Sequence, residues 1–113
     1  MNLINTSNIK IVTLCGSAKF EKEFQKINEI LTLRNYVVLS LGIFSKNLSN
    51  EKQEIILKRY KERLDNIHKK KIDMADIIFV INVEGYIGES TREEIDYAKL
   101  KGKEILYYTE FDS

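Results

Sequence analysis

Three glutamates and two hydroxyls crowd into the stretch Glu89-Ser90-Thr91-Arg92-Glu93-Glu94, just after a loop carrying Gly85 and Gly88. A carboxylate flanked by hydroxyls at the edge of a sheet can attack the anomeric carbon of a sugar and form a covalent glycosyl ester. That chemistry calls for no metal and no redox cofactor. Glu94 has the best spacing for it, four residues after Ser90, three after Thr91 and four before Ala98, so in a helix it shares a face with small residues. The alternative for Glu94 is a plain helix-surface glutamate. Glu93 reads as the fourth member of a capping box, Ser90-Thr-Arg-Glu93, and Glu89 as loop surface.

These groups need elements to hold them. The run Ile77-Ile-Phe-Val-Ile81 has no polar alternation and suits a strand buried on both faces, expected over Ile77–Val83. A buried strand feeding a glycine loop and a helix start places ligands beyond the strand's carboxyl end, where unpaired backbone N–H groups favour anions. The same device occurs earlier, where a strand over Ile9–Cys15 runs into Gly16-Ser17 with Lys19 beside it. It reads either as an anion cradle or as a tight turn with Ser17 capping the next helix. Cys15 reads as a small buried hydrophobe rather than a nucleophile, having no histidine near it in sequence. His68, the one histidine, lies at the edge of an apolar helical stripe and is either a general acid or base at the crevice or a boundary residue.

The 113 residues suit one domain, 1–113, with a single core. Net charge is +1, which gives no electrostatic case for nucleic acid or an anionic membrane as partner. The one local basic excess, His68-Lys-Lys-Lys71, reads as a solvated helix face. One cysteine excludes an intrachain disulfide and any cysteine-based zinc site, and one histidine cannot build a histidine-based metal site, so no metal is expected. Met1–Asn8 is polar, unlike a signal peptide, and no apolar run approaches spanning length, so the expected compartment is the cytoplasm.

Phe20, Phe24, Ile27 and Leu31 mark a first amphipathic helix, with Asn35 as its stop, followed by a strand over Tyr36–Leu41. A Gly/Ser/Asn loop, Gly42–Asn50, leads into a long helix over Glu51–Ala75 with Ile56, Tyr60, Leu64 and Ile67 on one face. Asp76 closes the turn into the third strand. A helix over Thr91–Lys101, terminated by Gly102, and a strand over Glu104–Thr109 complete the chain before a short tail. Alternating strands and helices predict an α/β fold, a flavodoxin-like or Rossmann-like three-layer sandwich on a parallel sheet of four to five strands. No GxGxxG follows either central strand, which argues against a dinucleotide binder.

Taken together, Cys15-Gly-Ser17 after the first strand, Ala75-Asp76 before the third, and Gly88 through Ala98 with its Glu-Ile-x-Tyr-Ala end resemble the nucleoside 2-deoxyribosyltransferase superfamily. Within it, they resemble the 2'-deoxynucleoside 5'-phosphate N-hydrolases. The resemblance implies an N-glycosidase or deoxyribosyltransferase acting on a nucleotide or nucleoside, with Glu94 as nucleophile and no cofactor. It implies that Gly16, Ser17 and Lys19 hold the 5'-phosphate, at a turn where the hydrolases carry arginine in place of Lys19, and that Ser90 is a further phosphate ligand. Gly88 and Thr91 complete the expected substrate contacts, and His68 is the expected proton donor to the leaving base. The family has aspartate where this chain has His68, and the hydrolases have tyrosine where it has Thr13. A homodimer sharing its sites is also implied. The contrasting expectation is a non-catalytic nucleotide-binding module on the same fold.

Overall fold

The computed structural model describes residues 6–44 and 49–111. Residues 1–5 of the N-terminal stretch, 45–48 of the Gly42–Asn50 loop and 112–113 of the tail lie outside the described residues.

The two runs without polar alternation form the centre of a parallel sheet. Strand β1 (Ile11–Gly16) pairs with β3 (Ile77–Ile81), Val12 opposite Ile77 and Gly16 opposite Ile81. Every residue of β3 is buried, as a strand covered on both faces must be. β2 (Val37–Leu39) flanks β1 and β4 (Glu104–Tyr107) flanks β3, giving four parallel strands in the order β2-β1-β3-β4.

The pleat sorts the side chains into two cores. Val12, Leu14, Ile77, Phe79 and Ile81 face α1 (Glu21–Leu33) and its Phe24, Ile27 and Leu31. Cys15, Ile78 and Val80 face the other way, toward Ile72 of α2 (Asn50–Met74) and Ile95 and Ala98 of α3 (Glu89–Leu100). The result is the flavodoxin-like three-layer α/β sandwich expected, with four strands. Among the described residues no helix is long and apolar enough to cross a membrane.

Helix ends follow local chemistry. Asn35 (φ 72°) and Gly102 (φ 71°) take the left-handed conformation after α1 and α3. In each case the next N–H returns to a carbonyl in the last turn, Tyr36 to Leu31 and Lys103 to Ala98, the Schellman pattern. Helix starts differ from expectation. α3 begins at Glu89, because the Gly88 carbonyl already accepts from the Arg92 N–H, and no side chain caps it. Ser90 therefore sits inside the first turn and the Ser90–Glu93 capping box does not form. Ser17 caps a short 3₁₀ turn, Ala18–Phe20, that leads into α1.

On α2 the inward stripe advances in steps of four. Ile56, Tyr60 and Leu64 are half-buried as expected, but the next inward positions are His68 and Ile72, and Ile67 is 47% exposed. Asp76 closes the turn into β3 as expected, and does so by pairing with β1. Its carboxylate accepts from the Ile11 N–H and its own N–H donates to the Ile11 carbonyl, both at 2.8 Å.

Gly16 is the position the sheet cannot change. Its φ is 155°, and an added Cβ would lie 3.0 Å from the Ile81 carbonyl oxygen and 3.1 Å from Ile81 Cβ. Gly88 has φ −76°, and an added Cβ there would first meet the Tyr86 side chain, at 3.4 Å or more. Gly16→Ala should therefore lower unfolding free energy by on the order of 2–4 kcal/mol, from backbone strain and overpacking together. Gly88→Ala should cost less than about 1 kcal/mol. Denaturant unfolding of the two variants measures both, and equal losses would contradict this account.

Candidate functional site

β1 and β3 are neighbours, yet β1 runs on to a helix on one face and β3 to a helix on the other. Diverging connections at such a switch point leave a crevice beyond the strand ends. A cleft of about 640 Å³ opens there, between the Gly16–Ala18 turn, the exit of β2, α2 and the start of α3. That volume is in the range of small-molecule sites.

Seven of the residues assigned to the site from sequence line this cleft, Gly16, Ser17, His68, Gly88, Ser90, Thr91 and Glu94, and so does Glu89, expected as loop surface but the first residue of α3. Lys19 lies outside the lining, its ammonium 3.5 Å from the centroid of the Tyr86 ring and 5.2 Å from that of Phe20, a cation–π seat. Among the described residues, the cation that does line the cleft is Lys71, whose Nζ donates to the Ser40 carbonyl at 2.7 Å. The run His68–Lys71 is thus only partly the solvated face expected of it. Asp65 also lines the cleft. Both residues were legible in principle, since 65 and 71 stand three positions either side of His68 and so share its helix face.

The closed side of the cleft joins three elements. His68 Nε2 lies 3.4 Å from Cys15 Sγ and 3.7 Å from Glu94 Oε2. Cys15, read from sequence as having no histidine nearby, has one in contact across the fold. Cys15 and His68 are buried, and the Glu94 side chain is 17% exposed. Among the described residues these three are the group whose donor atoms converge closely enough to share a metal ion. Counting like donors had ruled out such a site, but a mixed set escapes that count.

Burial decides the charge of all three. It pushes the Glu94 carboxyl up to about 8, aided by the negative charges of Asp65 and Glu93 and opposed by Lys61. It pulls His68 down to about 4, aided by Lys71 and opposed by Asp65. It raises the Cys15 thiol well above its ordinary value, with Glu94 adding to the effect. At neutral pH the resting site is an uncharged carboxyl, an uncharged imidazole and a thiol. The sequence reading put the proton on His68 and the charge on Glu94. Burial instead favours the proton on Glu94 and an uncharged His68.

Searches against protein-family models and curated proteins match this chain to none of them.

The raised Glu94 value makes a stability prediction with a definite sign. A carboxyl with an elevated folded pKa stabilises the fold fully below its unfolded value of 4.5, and this contribution is lost as pH rises through about 8. Glu94→Gln cannot ionise, so its stability relative to the parent should climb with pH, by at most roughly 5 kcal/mol at about 1.36 kcal/mol per unit. His68 acts in the opposite sense, losing stability as pH falls from 6.5 toward about 4. Thermal unfolding of both proteins between about pH 6.5 and 9 isolates the glutamate. A difference flat across that window would show that Glu94 is not held neutral.

Proposed function

We propose that this chain cleaves or transfers the base–sugar bond of a nucleotide or nucleoside, in the manner of the nucleoside 2-deoxyribosyltransferases, with Glu94 as nucleophile. The observation that carries the reading is the position of Glu94. Its carboxyl lines the cleft at the sheet's switch point, on the same wall as Ser90 and Thr91 and 3.7 Å from His68 Nε2.

With both groups uncharged, the pair has one carboxyl proton to pass on, and the reaction uses one. Transfer of that proton from Glu94 through His68 to the leaving base leaves a carboxylate beside the anomeric carbon. The C1'–N bond breaks with its electron pair going to the protonated base, and a C1'–O bond to Glu94 forms. Attack by water, or by a second base, then breaks the glycosyl ester and returns the carboxyl. Low water access strengthens each of these charge movements. For a 5'-phosphate, Ser17, the uncapped first turn of α3 and the Lys71 ammonium supply donors around the same cleft. Lys19 can join them only by leaving the Tyr86 ring. The reading includes a homodimer, as the resemblance implies.

The deciding experiment incubates the protein with deoxy- and ribonucleoside 5'-monophosphates and assays free base by chromatography. Base release is expected, and Glu94→Gln should abolish it while calorimetry still detects nucleotide binding. Full activity in Glu94→Gln would remove the nucleophile from this cleft. No base released from any nucleotide, with one of them raising the melting temperature, would make the protein a nucleotide-binding module instead. Lys71→Ala should weaken binding of a monophosphate at least tenfold more than binding of its nucleoside, and Lys19→Ala much less so. Equal losses for the two ligands in Lys71→Ala would dismiss Lys71 as the phosphate cation.

A further inference from the structure

The three donors on the closed side of the cleft belong to three different elements: Cys15 to β1, His68 to α2 and Glu94 to α3. Sulfur, imidazole nitrogen and carboxylate oxygen are together the donor set of zinc-type ions, borderline between soft and hard. Their ligand atoms all lie within 4.8 Å of one another, with sulfur and nitrogen 3.4 Å apart and nitrogen and oxygen 3.7 Å apart. Tetrahedral coordination at ordinary zinc bond lengths places such donors roughly 3.3–3.6 Å from each other. The sulfur and nitrogen are already at that spacing and the nitrogen and oxygen nearly so, while the Glu94 oxygen, within 4.8 Å of the sulfur, must close the remaining gap by rotating its side chain.

Charge and access fit as well. A thiolate and a carboxylate together carry two negative charges, which a divalent ion matches, and the thiol and carboxyl give up their protons to solvent as the ion enters. His68 and Glu94 line the cleft, so a fourth position opens toward it for water or a ligand atom. Thiolate ligation selects against magnesium and calcium, which take oxygen donors.

We propose that Cys15, His68 and Glu94 form a three-donor site for a thiophilic divalent cation of the zinc type, open on the cleft side. Ion binding and glycosyl-ester formation use the same carboxylate, so an occupied site silences Glu94 as a nucleophile. The metal site itself stands whether or not the chain proves to be a glycosidase.

Cobalt(II) is the probe, added to the chelator-treated full chain without any nucleotide and followed by absorption. One ion per chain should bind with micromolar or tighter affinity, giving intense tetrahedral bands and a thiolate-to-cobalt charge-transfer band in the near ultraviolet. Zinc should displace the cobalt and magnesium should not. Cys15→Ser should abolish the charge-transfer band. Glu94→Gln, a near-isosteric change on a partly exposed side chain, should weaken binding at least tenfold while keeping that band. Glu93→Gln, on an exposed neighbour, should leave binding unchanged. Absence of saturable one-to-one uptake by the parent overturns the proposal, and so does uptake that Glu94→Gln does not weaken. Should Cys15→Ser fail to fold, the parent spectrum and the Glu94→Gln titration still decide the matter.

Discussion

A buried hydroxyl holds the cleft together. α2 ends at Met74, so the carbonyls of its last turn lose their helical partners. The Lys71 carbonyl accepts from the Thr13 hydroxyl at 2.7 Å, the Ile72 carbonyl from the Ala75 N–H, and the Asp73 carbonyl from the Lys103 ammonium. Thr13 lies on β1 with its side chain wholly buried, so its hydrogen bond fixes the end of α2 to the middle of the sheet. An unmet buried carbonyl would cost about 1–3 kcal/mol, which makes the docking position specific as well as stable. His68 stands one turn before Lys71 and is thereby delivered onto Cys15, two residues along the same face of β1.

The electrostatics of the cleft follow from that docking. The deep groups, Cys15, His68 and Glu94, are driven to their uncharged forms by burial, whereas charge is carried by the groups around them. Asp65, on the cleft wall, makes a 2.7 Å ion pair with Lys61, and Lys71 lies across from it toward the exit of β2. The interior avoids the expense of an unpaired charge, and the rim keeps both signs available to a ligand.

Much of the architecture was legible because it depends on local pattern. Continuous apolar runs marked β1 and β3, and the residues Asn35 and Gly102 marked helix ends through their tolerance of positive φ. The start of α3 was misread because Ser90-Thr-Arg-Glu93 fits a capping box in sequence, while the extended Gly88 lets the helix begin earlier. The drift of the α2 stripe from Ile67 to His68 depends on how the helix crosses the sheet, which spacing alone does not specify. The candidate site was legible one element at a time. Glu94, Ser90 and Thr91 share a helix face by arithmetic, but the meeting of Cys15, His68 and Glu94 joins residues far apart in sequence and needs the strand order. Lys19 shows the opposite limit, where a nearby aromatic ring took a cation that spacing had assigned to the cleft.

The packing around Gly16 has a consequence for how this cleft can change over generations. Its floor lies where a Cβ on Gly16 would crowd the Ile81 carbonyl of β3, so substitutions there carry a stability cost. The opposite walls include Ile43, Leu57 and Ile67, exposed side chains that bear little of the core. Drift in sequence is therefore channelled to the walls: the shape offered to a ligand's outer part is free to diversify, while the ground beneath its reactive end stays constant.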